Sequence, residues 1–108
     1  MTAILPFIVE AGVDVIGALQ PPEVGDVILK NAKQQFGGKV ALLGGLDPCW
    51  TLERGSPDDV RRAVKQAIED AGHGGGYILG TGEAVDPHST PAENLRAMVS
   101  AAKEYGYY

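Results

Sequence analysis

Two hydrophobic patterns alternate along the chain. Short runs of branched apolar residues are typical of strands that are buried on both faces. They are separated by longer stretches in which apolar residues recur every three to four positions, the spacing of a helix with one buried side. The pattern predicts strands at 13–19, 40–43 and 77–80, and helices at 3–11, at 23–36, between Ser56 and Gly72, and between Thr90 and Gly106.

The last two helices carry the clearest start signals. Ser56 suits an N-cap position, Pro57 suits the first helical position, and two acids follow in the first turn. Thr90 and Glu93 have the spacing of a capping box. The apolar stripes predicted on these two helices are Val60, Ala63, Val64, Ala67, Ile68 and Ala71, and then Leu95, Met98, Val99, Ala102 and Tyr105.

Strands that alternate with helices pair in parallel through right-handed crossovers. The pattern therefore predicts an α/β fold with three parallel strands and four helices. A parallel sheet this small leaves two open edges and one poorly covered face. We expect the chain to be part of a larger sheet or barrel, or to complete itself by self-association through its open sheet edges.

The composition narrows the classes of function. The 108 residues fit a single domain, and 14 acids against 9 bases give a net charge of −5. A protein that binds duplex nucleic acid needs a basic surface, so that class is disfavoured. No apolar run reaches the ~18 residues of a membrane helix, so no membrane association is expected. The single cysteine cannot form an internal disulfide, and no signal peptide is recognisable, so the expected compartment is the cytoplasm.

Four stretches resemble the uroporphyrinogen decarboxylase superfamily, which includes the decarboxylase of haem biosynthesis and cobamide-dependent methyltransferases. They are residues 4–16 (ILPFIVEAGVDVI), 36–48 (FGGKVALLGGLDP), 74–79 (GGGYIL) and 90–98 (TPAENLRAM). Their order and spacing are similar to those of the C-terminal third of that family. The resemblance implies a partial (β/α)8 TIM barrel in which residues 1–108 form one unit, a C-terminal fragment with the last three strands and four helices.

The active site of such a barrel lies at the carboxyl ends of the strands. In this sequence Gln20, Asp47 and Glu83 follow those ends, and His88 lies in the last strand-to-helix loop. We expect Asp47 and Glu83 to act in catalysis, and Gln20 and His88 to bind substrate. The alternatives are structural: an Asp-Pro turn for Asp47, and a solvated loop acid for Glu83.

Glu83 also bears on the branch of the family. The resemblance places it where decarboxylases have a histidine and many methyltransferases have a cysteine as third zinc ligand. A carboxylate can bind zinc, so Glu83 is also a candidate metal ligand. It replaces histidine as a near-neutral proton donor only if its pKa is raised. The strand-end loops carry Asp47, Glu53, Glu83 and Asp86 against Arg54, which disfavours a polycarboxylate such as uroporphyrinogen.

The resemblance and the acidic loops together favour a parent enzyme that transfers methyl groups with zinc and a corrinoid protein. The alternatives are the decarboxylase of porphyrin biosynthesis, a lyase without a cofactor, and a non-enzymatic α/β module that self-associates. The family's site arginines, its catalytic aspartate and its His-x-Cys zinc pair lie outside the matching stretches. We therefore expect the 108 residues alone to be inactive and to need the missing half of the barrel as a partner.

Overall fold

The computed structural model describes residues 2–19, 28–81 and 85–106. A 3₁₀ turn precedes the first helix, and a π-helical turn at Pro48–Glu53 follows the second strand. The helices are α1 (Leu5–Glu10), α2 (Leu29–Phe36), α3 (Pro57–Ala71) and α4 (Ala92–Tyr105), and the strands are β1 (Val15–Leu19), β2 (Ala41–Leu46) and β3 (Tyr77–Thr81). This is the alternation that the sequence predicts. Within these ranges no helix is both long and apolar enough to cross a bilayer.

The three strands form one parallel sheet in the order β1-β2-β3, which confirms the predicted α/β fold. β2 continues to Leu46, beyond the apolar run that predicts it. Gly44 makes this extension compatible with close strand packing. Its φ is 132°, and a Cβ there would lie 2.9 Å from the backbone of Leu19 in β1. Only a residue without a side chain fits this approach.

The hydrophobic core lies between the sheet and α3. Leu42 and Leu46 of β2 share it with Val60 and Val64 of α3, and none of these four side chains is more than 1% exposed. Tyr77 is also buried there, and its hydroxyl donates a hydrogen bond to the Gly44 carbonyl at 2.6 Å. The predicted apolar stripe of α3 is thus confirmed, with only Ala63 left half-buried.

The opposite side of the sheet is apolar and partly open. Leu43 lies between Gly17 and Gly80, and a Cβ on these glycines would stand 3.4 and 3.3 Å from its two methyl carbons. Parallel register places Val15 and Ile78 on the same side, where they are 46% and 51% exposed. We call Val15, Leu43 and Ile78 the open face. A parallel sheet normally buries both faces, so this surface is the one that a complete barrel would enclose.

α3 begins and ends as predicted. The Ser56 hydroxyl accepts a hydrogen bond from the Asp59 N–H at 3.2 Å, and the Asp59 carboxylate accepts one from the Ser56 N–H at 2.9 Å. This reciprocal pair is a capping box. The bond from the Ser56 N–H, assisted by the Ser56 hydroxyl and by Arg62, lowers the pKa of Asp59. Gly72 forms the C-cap.

α4 differs from its prediction in two respects. The predicted capping box of Thr90 and Glu93 is not formed: Pro91 is the N-cap residue, and no side chain caps the helix. The buried side is centred on Asn94 and Ala101, whereas Val99 is 49% exposed. Spacing alone places the apolar residues inward, but α4 is rotated so that the Asn94 amide meets backbone carbonyl groups.

α2 is shorter in the described part of the chain than the sequence indicates. The described helix starts at Leu29, after an extended Ile28. The predicted start at residue 23 and the candidate Gln20 both lie outside the described residues.

Candidate functional site

Asp47 occupies the position that the sequence predicts, at the carboxyl end of β2. The strand ends at Leu46, and the π-helical turn begins at Pro48. Asp47 is only 7% exposed, and its backbone carbonyl accepts a hydrogen bond from the Leu52 N–H at 3.3 Å. A buried carboxylate at the end of a parallel strand is a group that can bind or orient a polar ligand, because such strand ends form the catalytic side of α/β barrels.

Asp47 lines a cleft of about 340 Å³. One wall is formed by the end of β2, from Gly45 to Asp47, and another by Ile28 and Leu29 at the start of α2. The remaining lining residues are Thr51, Ala63, Gln66, Ala67 and Asp70. The cleft therefore lies between α2, α3 and the end of β2, on the helix-covered side of the sheet.

Sequence reasoning missed the polar side chains that α3 contributes to this cleft. Gln66 donates a hydrogen bond to the Asp70 carboxylate at 2.9 Å. One side of α3 faces the cleft, because the lining residues of this helix recur every three or four positions, at Ala63, Gln66, Ala67 and Asp70. The spacing is the only signal that the sequence offers for Gln66 and Asp70, and polar residues at such positions of a helix are normally solvated.

Asn94 of α4 holds the loop that follows β2. Its Nδ2 donates hydrogen bonds to the carbonyl oxygens of Leu52 and Gly55, both at 2.8 Å. Asn94 is only 1% exposed and Leu52 is fully buried. Gly55 has no room for a side chain, because a Cβ would stand 2.5 Å from the Thr51 carbonyl oxygen. The loop that starts at Asp47 is thereby fixed to the start of α4, some 40 residues away in sequence.

The loop before α4 is organised by Asp86. Its carboxylate accepts hydrogen bonds from the His88 N–H and the Ser89 hydroxyl, both at 2.9 Å. These bonds, that of His88 first, lower the pKa of Asp86. His88 contributes its backbone to this turn, and its side chain is exposed. Among the described residues that line the cleft, His88 is absent.

The structure thus places two of the four predicted site residues and does not bring them together. Asp47 is buried in the cleft, and His88 lies exposed in a separate loop. Gln20 and Glu83 lie outside the described residues, so their assignment stays a prediction. Across residues 2–19, 28–81 and 85–106, no three His, Cys, Asp or Glu residues form a group that could hold a metal ion.

The sequence matches known proteins over almost its whole length. The model of the family described as uroporphyrinogen decarboxylase (URO-D) matches residues 1–105. Curated relatives include uroporphyrinogen decarboxylase from Coxiella burnetii (strain Dugway 5J108-111), 32% identical over 94% of this chain and 26% of that protein. Another is uroporphyrinogen decarboxylase from Pseudomonas putida (strain KT2440), 34% identical over 93% of this chain and 26% of that protein. The chain therefore spans about a quarter of the length of the curated relatives it matches.

A solved structure shares the fold described above. The methyltransferase from Methanosarcina mazei superposes with a TM-score of 0.77 at 26% sequence identity, over 98% of this chain and 29% of that chain. The match of three consecutive β-α units to a segment of a longer barrel confirms the predicted partial TIM barrel. Since the family model covers residues 1–105, the chain belongs to the uroporphyrinogen decarboxylase family.

Proposed function

We propose that this chain supplies part of the active-site face of a larger (β/α)8 enzyme of its family. The observation that carries the proposal is the buried Asp47 at the carboxyl end of β2, the end at which α/β barrels hold their catalytic residues. In a barrel, side chains at the ends of several strands together form the catalytic constellation. Asp47 would accept a hydrogen bond from the substrate and orient it, and Glu83 would act from the loop after β3.

The open face and the two edges of the sheet explain why this chain would need further strands for catalysis. Val15 and Ile78 leave the open face about half exposed, and β1 and β3 are the edges of the sheet. The remaining strands of the barrel would pair with these edges and enclose the open face. The 108 residues alone would then lack most of the active-site wall and be inactive.

Methyl transfer with a corrinoid partner is the reaction that the charges of this segment favour. Asp47, Glu53 and Asp86 lie in the loops after β2 and β3, against Arg54 as the cation of those loops in the described ranges. Excess negative charge at this end repels a substrate with several carboxylates. The zinc of that branch does not fit the described residues alone, since they offer no group of three ligands. Glu83 stays a proposed ligand.

Decarboxylation of uroporphyrinogen is the second candidate, in the cytoplasm as for the first. It is favoured by the curated relatives named uroporphyrinogen decarboxylase, which are 32% and 34% identical to this chain. In this case arginines from the rest of the barrel would have to neutralise the substrate carboxylates, and Asp47 would orient the substrate as before.

The experiment is an assay of the longer protein that carries these residues. It is tested for methyl transfer from a methylated corrinoid and for release of CO₂ from uroporphyrinogen. We expect methyl transfer, lowered at least tenfold in kcat/KM by Asp47→Asn. The control Glu69→Gln removes an exposed carboxylate of α3 and should leave activity unchanged. CO₂ release without methyl transfer would select the second candidate. Turnover by the 108 residues alone, or full activity of Asp47→Asn, would contradict the proposal.

A further inference from the structure

Two polar side-chain atoms at the N-terminus of α4 are buried without a hydrogen-bond partner in the described part of the chain. They are the Thr90 hydroxyl and the Asn94 side-chain oxygen. Thr90 is 8% exposed and Asn94 is 1% exposed. Buried polar atoms almost always have a partner in protein or in ordered water, so two such atoms without a protein partner within one turn make ordered water the first candidate.

The orientation of the Asn94 amide is fixed by its neighbours. Nδ2 faces the carbonyl oxygens of Leu52 and Gly55 at 2.8 Å. A flipped amide would set the side-chain oxygen against two other acceptors, which is repulsive. The unpartnered atom is therefore an acceptor with no proton of its own, and it requires a group that donates.

We propose that an ordered water molecule binds at this place and joins the Thr90 hydroxyl to the Asn94 side-chain oxygen. Water donates to the amide oxygen and still exchanges a hydrogen bond with the hydroxyl, which both accepts and donates. A fully deprotonated anion is the wrong ligand although it suits a helix N-terminus, because it has no proton to donate to Asn94. Glu93, in the first turn, adds further negative charge.

This water-binding site would complete the attachment of the loop after β2 to α4. Asn94 already bonds two carbonyl groups of that loop, and the water would tie the same side chain to Thr90. Thr90 is itself held to the loop before α4, since its N–H donates to the Asp86 carbonyl at 3.1 Å. The two loops at the carboxyl ends of β2 and β3 would thereby move as one unit. The site does not depend on which reaction the whole protein catalyses.

Thr90→Val separates a hydrated site from a dry one by the sign of its effect. Valine has nearly the shape of threonine and no hydroxyl. If the hydroxyl is unpaired, its removal relieves a buried polar group and the urea midpoint of unfolding rises. If it binds the proposed water, the Asn94 oxygen and the water lose a partner and the midpoint falls. We expect a fall, whereas an unchanged or higher midpoint would overturn the proposal.

A crystal structure of the same protein at about 1.5 Å gives the second, independent readout. We expect one water within the usual hydrogen-bond range of about 2.6–3.2 Å from both atoms, and its loss or displacement in Thr90→Val. Density that shows no shared water, or a direct protein partner for both atoms, would overturn the proposal whatever the urea midpoint does.

Discussion

The two faces of the sheet differ sharply in how they are covered. On the side of α3, Leu42 and Leu46 are at most 1% exposed. On the other side, Val15 and Ile78 are about half exposed, although their neighbours in the same strands, Ile16 and Tyr77, are only 3% and 4% exposed on the α3 side. Both faces of the sheet thus carry apolar side chains suited to burial, but the helices of this chain cover only one of the two faces.

This difference indicates where the stability of the chain comes from and what a complete barrel would add. Fully burying a valine or isoleucine side chain contributes about 1.5–3 kcal/mol relative to leaving it exposed. The α3 side already has this contribution. The side chains of the open face would gain the rest of this burial free energy only when further strands enclose them. The chain is therefore best understood as one segment of a closed barrel.

Leu42→Ala against Ile78→Ala gives the largest contrast between the two faces. Leu42 is 1% exposed in the core, so its truncation should lower the free energy of unfolding by about 2–5 kcal/mol. Ile78 is 51% exposed, and its truncation in the 108-residue chain should cost less than half as much. Urea unfolding of the two variants measures both values. Equal losses would mean that the open face is covered in solution.

Gly44→Ala tests the close contact of β1 and β2 that both faces share. Alanine at a φ of 132°, with its Cβ 2.9 Å from the Leu19 backbone, should destabilise by about 1–3 kcal/mol. Gly38→Ala is the matched control, because nothing lies within 4 Å of a Cβ there and its φ is not positive. A tolerated Gly44→Ala would show that the strands can separate at this point.

Asn94→Ala probes the polar attachment on the covered side. It removes two hydrogen bonds to backbone carbonyl groups, the buried one of Leu52 and the part-buried one of Gly55, a loss of about 1–2 kcal/mol in unfolding free energy. Asn31→Ala, at an exposed position of α2, serves as the control. If both variants unfold at the same urea concentration, the loop after β2 is not held by α4.

Asp59→Ala has the smallest expected effect and a defined pH dependence. The pKa of Asp59 is below its ordinary value of 3.8, chiefly because its carboxylate accepts the Ser56 N–H. A group with a depressed pKa in the folded state stabilises above its unfolded pKa, and this stabilisation is lost as pH falls through the folded value. We expect the melting temperature of wild type to exceed that of Asp59→Ala at pH 7. The gap should narrow as pH falls below 3.8 and close below the folded pKa of Asp59, and a gap that keeps its pH 7 size through this range would contradict this assignment.

Much of the fold could be predicted from the sequence because local signals and tertiary structure agree. The Ser56 cap, the end of α3 at Gly72 and the three parallel strands are examples. The rotation of α4 could not be predicted from hydrophobic spacing, since that spacing cannot weigh a buried Asn94 with two carbonyl partners against an exposed Val99. The sequence also could not show that Thr90 does not cap α4. Thr90 and Glu93 have the spacing of a capping box, but Pro91 is the N-cap residue and the Thr90 hydroxyl is buried.

The candidate site was less predictable than the fold. The position of Asp47 follows from the strand that precedes it. The approach of Gln66 and Asp70 to the same cleft depends on how α3 lies across the sheet, which only the packed structure specifies. His88 shows the converse, since a histidine in the expected loop exposes its side chain and contributes only its backbone to the Asp86 turn.

Hydrogen exchange at the sheet edges tests most directly whether the open face is completed by further strands. Amide protection is compared between the 108-residue chain and the same residues joined to the preceding part of a family barrel. We expect the edge amides of β1 and β3, which point away from β2, to gain at least about tenfold in protection on joining, while β2 amides change little. Equal protection of the edge amides in both proteins would contradict the account.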